Sequence, residues 1–296
     1  MKNTSELVLS AMLLLTSAAS VGAQSQKPAA TPAPDTTMSA YEKEINAWDQ
    51  RRFTGLKRPF GWLSLVALDW LEKGGNKVAS IGTITLTEGK VFLQLLPAVQ
   101  ASVGGHSFQS GPLKTDRDEG GPDRVEVGTR AFTIIQRGER FAVRMWDSTA
   151  QTRAQFSGIG RFPVTRKWRV EARWEPYSPP KSIKVQSVIP GYADDYKVPG
   201  VAIFSVDNKE YRLEPVDEGD RTLFFIFADK TNGKETYGAG RFLYADLPKD
   251  GKVIVDFNKA YNPPCAFTPY ATCPLPPASN RLPIRVDAGE KKFGDH

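Results

Sequence analysis

The stretch from Asp256 to Lys291, DFNKAYNPPCAFTPYATCPLPPASNRLPIRVDAGEK, limits what this chain can fold into more than any other. It holds seven of the 22 prolines: Pro263, Pro264, Pro269, Pro274, Pro276, Pro277 and Pro283. Proline fixes φ and removes a backbone donor, so helix and central strand are forbidden through most of it. Aromatics such as Tyr261, Phe267 and Tyr270 and both cysteines (Cys265, Cys273) distinguish it from disordered sequence. It reads as a long ordered loop, and such loops in compact domains are usually functional. A short last strand, Leu282 to Val286, is expected near its end.

The remainder predicts an all-β, mostly antiparallel fold. Ser39 and Glu42 form a capping-box pattern, followed by Tyr41, Ile45 and Trp48 at helical spacing, so residues 40–53 are expected to be a short helix. Trp62 to Leu71 is an apolar run expected to form a buried strand, with a buried helix as the competing reading. Hairpins are expected at 84–95, around Glu88-Gly89, and at 132–146, around Arg137-Gly138. Val164 to Trp174 alternates, with Trp168, Val170, Ala172 and Trp174 on one face and Lys167, Arg169, Glu171 and Arg173 on the other. Five more short apolar runs lie between 201 and 257, punctuated by Asp207-Asn208, Asn232-Gly233 and Asp250-Gly251. This spacing predicts a sandwich or barrel of two β subdomains, 40–175 and 176–296, divided at the Pro-rich stretch Glu175 to Pro180.

NPPCAF, CPLPP, NRL and AGEK occur in that order near the C-terminus, and GWLSLVALDWL lies far upstream. On these motifs, residues 41 to 293 resemble an uncharacterised, mainly bacterial family catalogued as domain of unknown function sixteen eighty-four. The resemblance implies membership and carries over no activity, substrate or catalytic residue.

The N-terminus reads as an export signal. Lys2 precedes an apolar core, Leu7 to Leu15, and Val21-Gly22-Ala23 resembles a cleavage site. Residues 1–23 are therefore expected to be a signal peptide and 24–39 a Pro/Ala/Thr/Gln-rich tether, with the mature protein periplasmic or secreted. The apolar core is too short to span a bilayer, so no stable membrane insertion is expected. In an oxidising compartment two cysteines eight positions apart most often pair, so a Cys265–Cys273 disulfide is expected, and closing that loop would stabilise by about 2.5 kcal/mol; two buried unpaired thiols, or a reactive thiolate with Arg281 or Lys291 as its cation, are the competing readings.

The remaining chemistry is pruned by composition. Two histidines, His106 in a Gly-Gly-His-Ser turn and His296 at the end, leave little material for a Ser-His-Asp machine. Metal-ligand spacing is absent, so no metal or cofactor is expected; Cys265, Cys273 and one carboxylate would be the only credible ligands. Net charge is +6 and spread along the chain, and the basic face of 166–173 lies opposite its tryptophans, so nucleic acid is not an expected partner. Two polar groups remain. Asp229, Thr231, Thr236, Tyr237 and Arg241 surround one hairpin, while Asp256, Asn258, Tyr261, Asn262, Asn280, Arg281 and Glu290 belong to the terminal block. Tyr237, Arg241, Asp256, Asn258, Tyr261, Asn262, Asn280, Arg281 and Glu290 are the candidate ligand-binding residues, with Arg241 expected to pair with Asp256 and Glu290 expected to escape deep burial. The leading expectation is a pocket framed by this block that binds a small polar molecule or glycan, a saccharide or an anion. The rivals are a hydrolase using Asp256 and Glu290 or Cys265, and a structural envelope protein in which the block is only a folding staple. Export is checked by N-terminal sequencing of protein recovered from the native cell envelope. The sequence should begin at Gln24; a cytosolic chain beginning at Met1 or Met38 would contradict it.

Overall fold

The structure, a computed structural model, describes residues 39–219 and 221–294. The expected signal peptide, nearly all of the tether and His296 lie outside the described residues. Sixteen strands dominate, and every ladder between them is antiparallel. In the N-terminal half they are β1 (Leu65–Trp70), β2 (Gly74–Val78), β3 (Gly82–Thr87), β4 (Lys90–Leu95), β5 (Ala101–Val103), β6 (His106–Phe108), β7 (Ser110–Leu113), β8 (Val125–Val127), β9 (Arg130–Arg137) and β10 (Arg140–Asp147). In the C-terminal half they are β11 (Arg169–Gln186), β12 (Ala193–Val206), β13 (Lys209–Leu213), β14 (Thr222–Phe227), β15 (Arg241–Asp246) and β16 (Lys252–Asp256). Helix α1 (Ala40–Leu56) precedes them, and a short α2 (Gln151–Gln155) lies between the halves.

Sheets of order β1-β10-β9-β8-β5-β6 and β2-β3-β4-β7 enclose one core around Ile84, Leu93, Val125, Phe132 and Ile134. A sheet of order β13-β12-β11-β16 and the β14-β15 hairpin enclose another around Phe225, Phe227, Leu243, Val255 and Phe257. Turn chemistry sets the register, as the sequence predicts. Asp207 and Asn208 both take positive φ (51° and 59°) between Val206 and Lys209, the twist a two-residue hairpin loop needs. Glu88 and Gly89 do the same between Thr87 and Lys90.

Local expectations are refined in four places. The capping box forms, but α1 runs three residues further, to Leu56. Trp62–Ser64 is a 3-10 turn and the strand begins at Leu65. The stretch Glu175 to Pro180 does not divide subdomains: it lies inside β11, which is paired with β12 on both sides of a register shift between Pro176 and Lys181. Prolines are tolerated there because the irregularity releases the ladder from needing their missing donors. The boundary expected between 175 and 176 falls inside a strand, and residues 148–168 connect β10 to β11. Finally, Leu282 to Val286 is no strand. It follows β14 through single bonds, Leu282 N–H to Ala228 O (2.8 Å) and Lys230 N–H to Ile284 O (2.9 Å), since Pro283 has no donor to continue a ladder.

The terminal block folds back along the C-terminal half. Phe242 and Tyr261 exchange both backbone bonds at 2.9 Å, and Leu275 N–H reaches Gln186 O at 2.7 Å. Gly240, at φ +105°, passes so close that a Cβ would lie 2.7 Å from Phe227 O and inside Pro276. Beside it, Arg241 is fully buried. Its guanidinium pairs with Asp229 at 2.7 Å and donates to the carbonyls of Val286 (3.0 Å), Ala288 and Glu290 (3.5 Å). Burial pulls the Arg241 pKa down and the Asp229 carboxylate opposes it. Breaking a buried pair from one side leaves an uncompensated charge. Arg241→Met and Asp229→Leu should therefore each lower stability by about 3–5 kcal/mol in urea unfolding, and the double variant by clearly less than the sum. Additive losses would contradict this.

Candidate functional site

Most residues singled out from the terminal block are held by the protein itself. The expected Arg241–Asp256 pair does not form, because Arg241 points from the start of β15 toward Asp229. Asp256 instead ends β16 and caps the 3-10 turn Phe257–Lys259, accepting from Asn258 N–H (3.1 Å) and from the Tyr41 hydroxyl (2.8 Å). That burial, and then the Asp256 bond, push the Tyr41 pKa up. Asn258 donates to Thr165 O and accepts from Thr165 N–H. Asn280 joins Glu214 N–H, Glu214 O and Ile226 O. Asn262 donates to Lys291 O at 2.7 Å. Arg281 is exposed.

Glu290 was expected to escape burial; it is fully buried. Helix α1 explains why. Arg52 lies on it so that Nε meets Glu290 at 3.0 Å, Nη2 meets Asn262 O at 2.8 Å, and the guanidinium covers the Tyr261 ring at 4.6 Å. Glu290 also accepts Asn262 N–H at 2.7 Å. Tyr237 packs in the same neighbourhood, its pKa raised to about 12 by burial. Asp256 and Glu290 are thus both committed to cationic or hydroxyl partners from α1, and neither faces a shared cleft as a glycosidase pair would. Among the described residues, no three His, Cys, Asp or Glu side chains gather as a metal site.

The block does frame a cleft, at its other edge. A cavity of about 340 Å³ is bounded by Pro264 and Ala271–Pro274 from the block, Trp62, Asp116, Arg117, Arg137 and Arg144 from the N-terminal half, and Asp194, Tyr196, Glu218 and Phe242. Two of its three guanidiniums are matched: Arg137 with Asp116 at 2.6 Å, and Arg117 with both oxygens of Asp194 at 2.7 and 2.9 Å. The Glu218 carboxylate accepts the Tyr244 hydroxyl at 2.6 Å. Arg144 differs. It forms no ion pair with a described residue, bonds Thr272 Oγ1 at 2.9 Å, lies over the Trp62 ring at 5.5 Å, and its Nε is buried with no acceptor. Burial, and then the neighbouring Arg137, pull its pKa down to about 10. Thr272 Oγ1 also accepts from Arg137 at 3.1 Å, which leaves its hydrogen available to an acceptor in the cleft. Two guanidiniums and a hydroxyl thus converge where an oxyanion would satisfy all three.

Cys273 lines this cleft, and so does Pro264, the residue before Cys265. Both are free thiols in the structure. Each backbone N–H donates to the other's sulfur, Cys265 to Cys273 at 3.2 Å and Cys273 to Cys265 at 3.4 Å.

Sequence reading missed Arg144 and Thr272. The available signal was Arg144 within Phe141–Trp146, a charge in an otherwise apolar run. Glu290 itself yields a test. Glu290→Gln should lower stability by about 2–3 kcal/mol in urea unfolding, the cost of weakening a charged hydrogen-bond set around Arg52. An unchanged midpoint would contradict the burial described.

Residues 154–291 match the family model described as protein of unknown function (DUF1684), a shorter stretch than the motifs suggest. No curated protein matches this chain. Among solved structures, the chain is similar to the solution NMR structure of an uncharacterized protein of Haloarcula marismortui, with 32% identity, coverage of 49% of this chain and 82% of that one, and a TM-score of 0.41. Thr272, Cys265 and Cys273 fall within the matched stretch and Arg137 and Arg144 precede it. Through residues 154–291, this chain belongs to the DUF1684 family of proteins of unknown function.

Proposed function

We propose that this protein works outside the cytoplasm as a receptor for a small anion, bound in the cleft between the N-terminal sheets and the terminal block. One observation carries the reading: the half-buried Arg144 guanidinium lines the cleft with no ion-pair partner among the described residues, and its buried Nε has no acceptor. A buried cation without a counter-charge is costly, and evolution's usual remedies are a carboxylate or a ligand. The carboxylates of the cleft are engaged elsewhere, Asp116 with Arg137, Asp194 with Arg117 and Glu218 with the Tyr244 hydroxyl, so that Asp116 acts on Arg144 only from a distance. The cleft suits a small ligand with a carboxylate, sulfate or phosphate group, while Trp62, Tyr196 and Phe242 offer apolar surface to its remainder. A neutral saccharide would leave Arg144 unmatched. The Cys265–Cys273 disulfide belongs to the same reading, since each sulfur lies against the other residue's amide and an oxidising compartment favours closure.

The test is calorimetric titration of the full chain with sulfate, phosphate and small carboxylates at constant ionic strength, with chloride as reference. At least one should bind saturably, and Arg144→Gln should weaken it by about 10- to 100-fold, the worth of one charged hydrogen-bond set. Folded wild type that binds none of them, or an Arg144→Gln variant that binds equally well, would sink the proposal.

A further inference from the structure

Cys273, which lines the cleft, and Cys265, whose amide meets its sulfur, are chemically unequal thiols. Cys273 is 5% exposed, whereas Cys265 is only partly buried. Each sulfur accepts an amide N–H from the other residue, and amide donors stabilise a thiolate. Hydrogen bonding from Cys273 holds the Cys265 thiol below the ordinary range, with Arg144 adding to the effect, while burial pushes Cys273 up. The chain has no other cysteine. Cys273 directly follows Thr272, the residue to which Arg137 and Arg144 both donate. A nucleophilic thiol, a resolving thiol and an oxyanion corner therefore meet in one place.

We propose that Cys265 and Cys273 are a thiol–disulfide exchange site for small anionic disulfides, with Arg137, Arg144 and Thr272 seating a carboxylate of the substrate. The choice of an anionic substrate rests on the anion-binding reading above; the exchange chemistry rests on the sulfur pair. The Cys265 thiolate attacks one sulfur of R–S–S–R; its S–S bond breaks, and R–S⁻ leaves with the electron pair and takes a proton from water. A mixed disulfide now joins Cys265 to the second R–S group. Cys273, on losing its proton to water, attacks the Cys265 sulfur; the mixed disulfide breaks and the second R–S⁻ leaves to be protonated. One substrate disulfide is reduced to two thiols, and the two protein thiols are oxidised to one disulfide. An anionic thiol returns the pair to its starting state by the reverse steps. Arg144, the guanidinium of the cleft without a carboxylate partner among the described residues, would favour a net-negative disulfide over a net-positive one.

The experiment compares two disulfides on the reduced full chain: glutathione disulfide, net negative, and cystamine, net positive. Intact mass follows each reaction at one pH and ionic strength. Wild type should react at least about tenfold faster with glutathione disulfide, the effect of one charge-assisted contact, and end as the internal disulfide with no retained adduct. Arg144→Gln should bring the two rates within about twofold and Arg144→Lys should keep the preference, which separates the local cation from the chain's overall positive charge. Cys273→Ser should stall as a glutathione adduct on Cys265, and Cys265→Ser should not react. Equal or faster reaction with cystamine in wild type, thiols inert to both reagents in folded protein, or a first adduct on Cys273 would each overturn the proposal. Sulfate titration of Cys265→Ser reports the anion corner alone. Sulfate binding with inert wild-type thiols would reject exchange and leave the anion reading standing. Exchange with no charge preference and no sulfate binding would reject the anion reading and, with it, this substrate class.

Discussion

The Arg241 guanidinium is buried to zero exposure, and the path of the last fifty residues follows from the need to surround it. One carboxylate, Asp229, and three backbone carbonyls from Val286, Ala288 and Glu290 supply its partners. Those carbonyls belong to a segment without a strand or long helix of its own, so its backbone acceptors would otherwise be unsatisfied in the interior. The cation and the loop each solve the other's difficulty. Once Val286 to Glu290 is fixed, Glu290 is delivered to Arg52 of α1, and Gly289 can close over Phe257 and Ala260, where a Cβ would lie 2.8 Å from Phe257 O. Helix α1, whose sequence alone would be marginal, gains a docking surface from Tyr41, Arg52 and Lys259–Glu44 contacts.

This arrangement separates two jobs that a sequence presents as one. Asn258, Asn262 and Asn280 satisfy loop carbonyls and amides left over by the prolines, and so hold the block's shape. The far edge of the same block, Ala271 to Pro274, lies against β9 and β10 and brings a hydroxyl and a thiol to two arginines. Rigidity in the first region is what fixes geometry in the second.

Much of the architecture was legible because it is written locally. Glu88-Gly89, Asp207-Asn208 and Asp250-Gly251 force left-handed turn geometry, and alternating runs such as Phe141–Met145 define buried faces without reference to distant sequence. What was not legible depends on partners far along the chain. Arg241 chooses Asp229 over Asp256 because Asp229 lies just past the end of β14, whose last residue Phe227 pairs with Arg241, a matter of strand register. Glu290 is buried because a helix more than two hundred residues earlier supplies a cation, which no local pattern announces. Glu175 to Pro180 resembles a linker by composition, yet a register shift lets β11 carry it. Arg144 was not singled out because nothing within β10 shows that the terminal block will cover it.

The central claim is that the seam between the terminal block and β9–β10 holds an oxyanion against Arg144, Arg137 and Thr272. Anomalous diffraction from crystals of the mature protein equilibrated with selenate tests it most directly. The account predicts a selenium peak in the cleft, with a selenate oxygen within hydrogen-bond distance of Arg144 Nε and a second oxygen near Thr272 Oγ1. A cleft without selenium while Arg144 Nε bonds a protein carboxylate or carbonyl would contradict it.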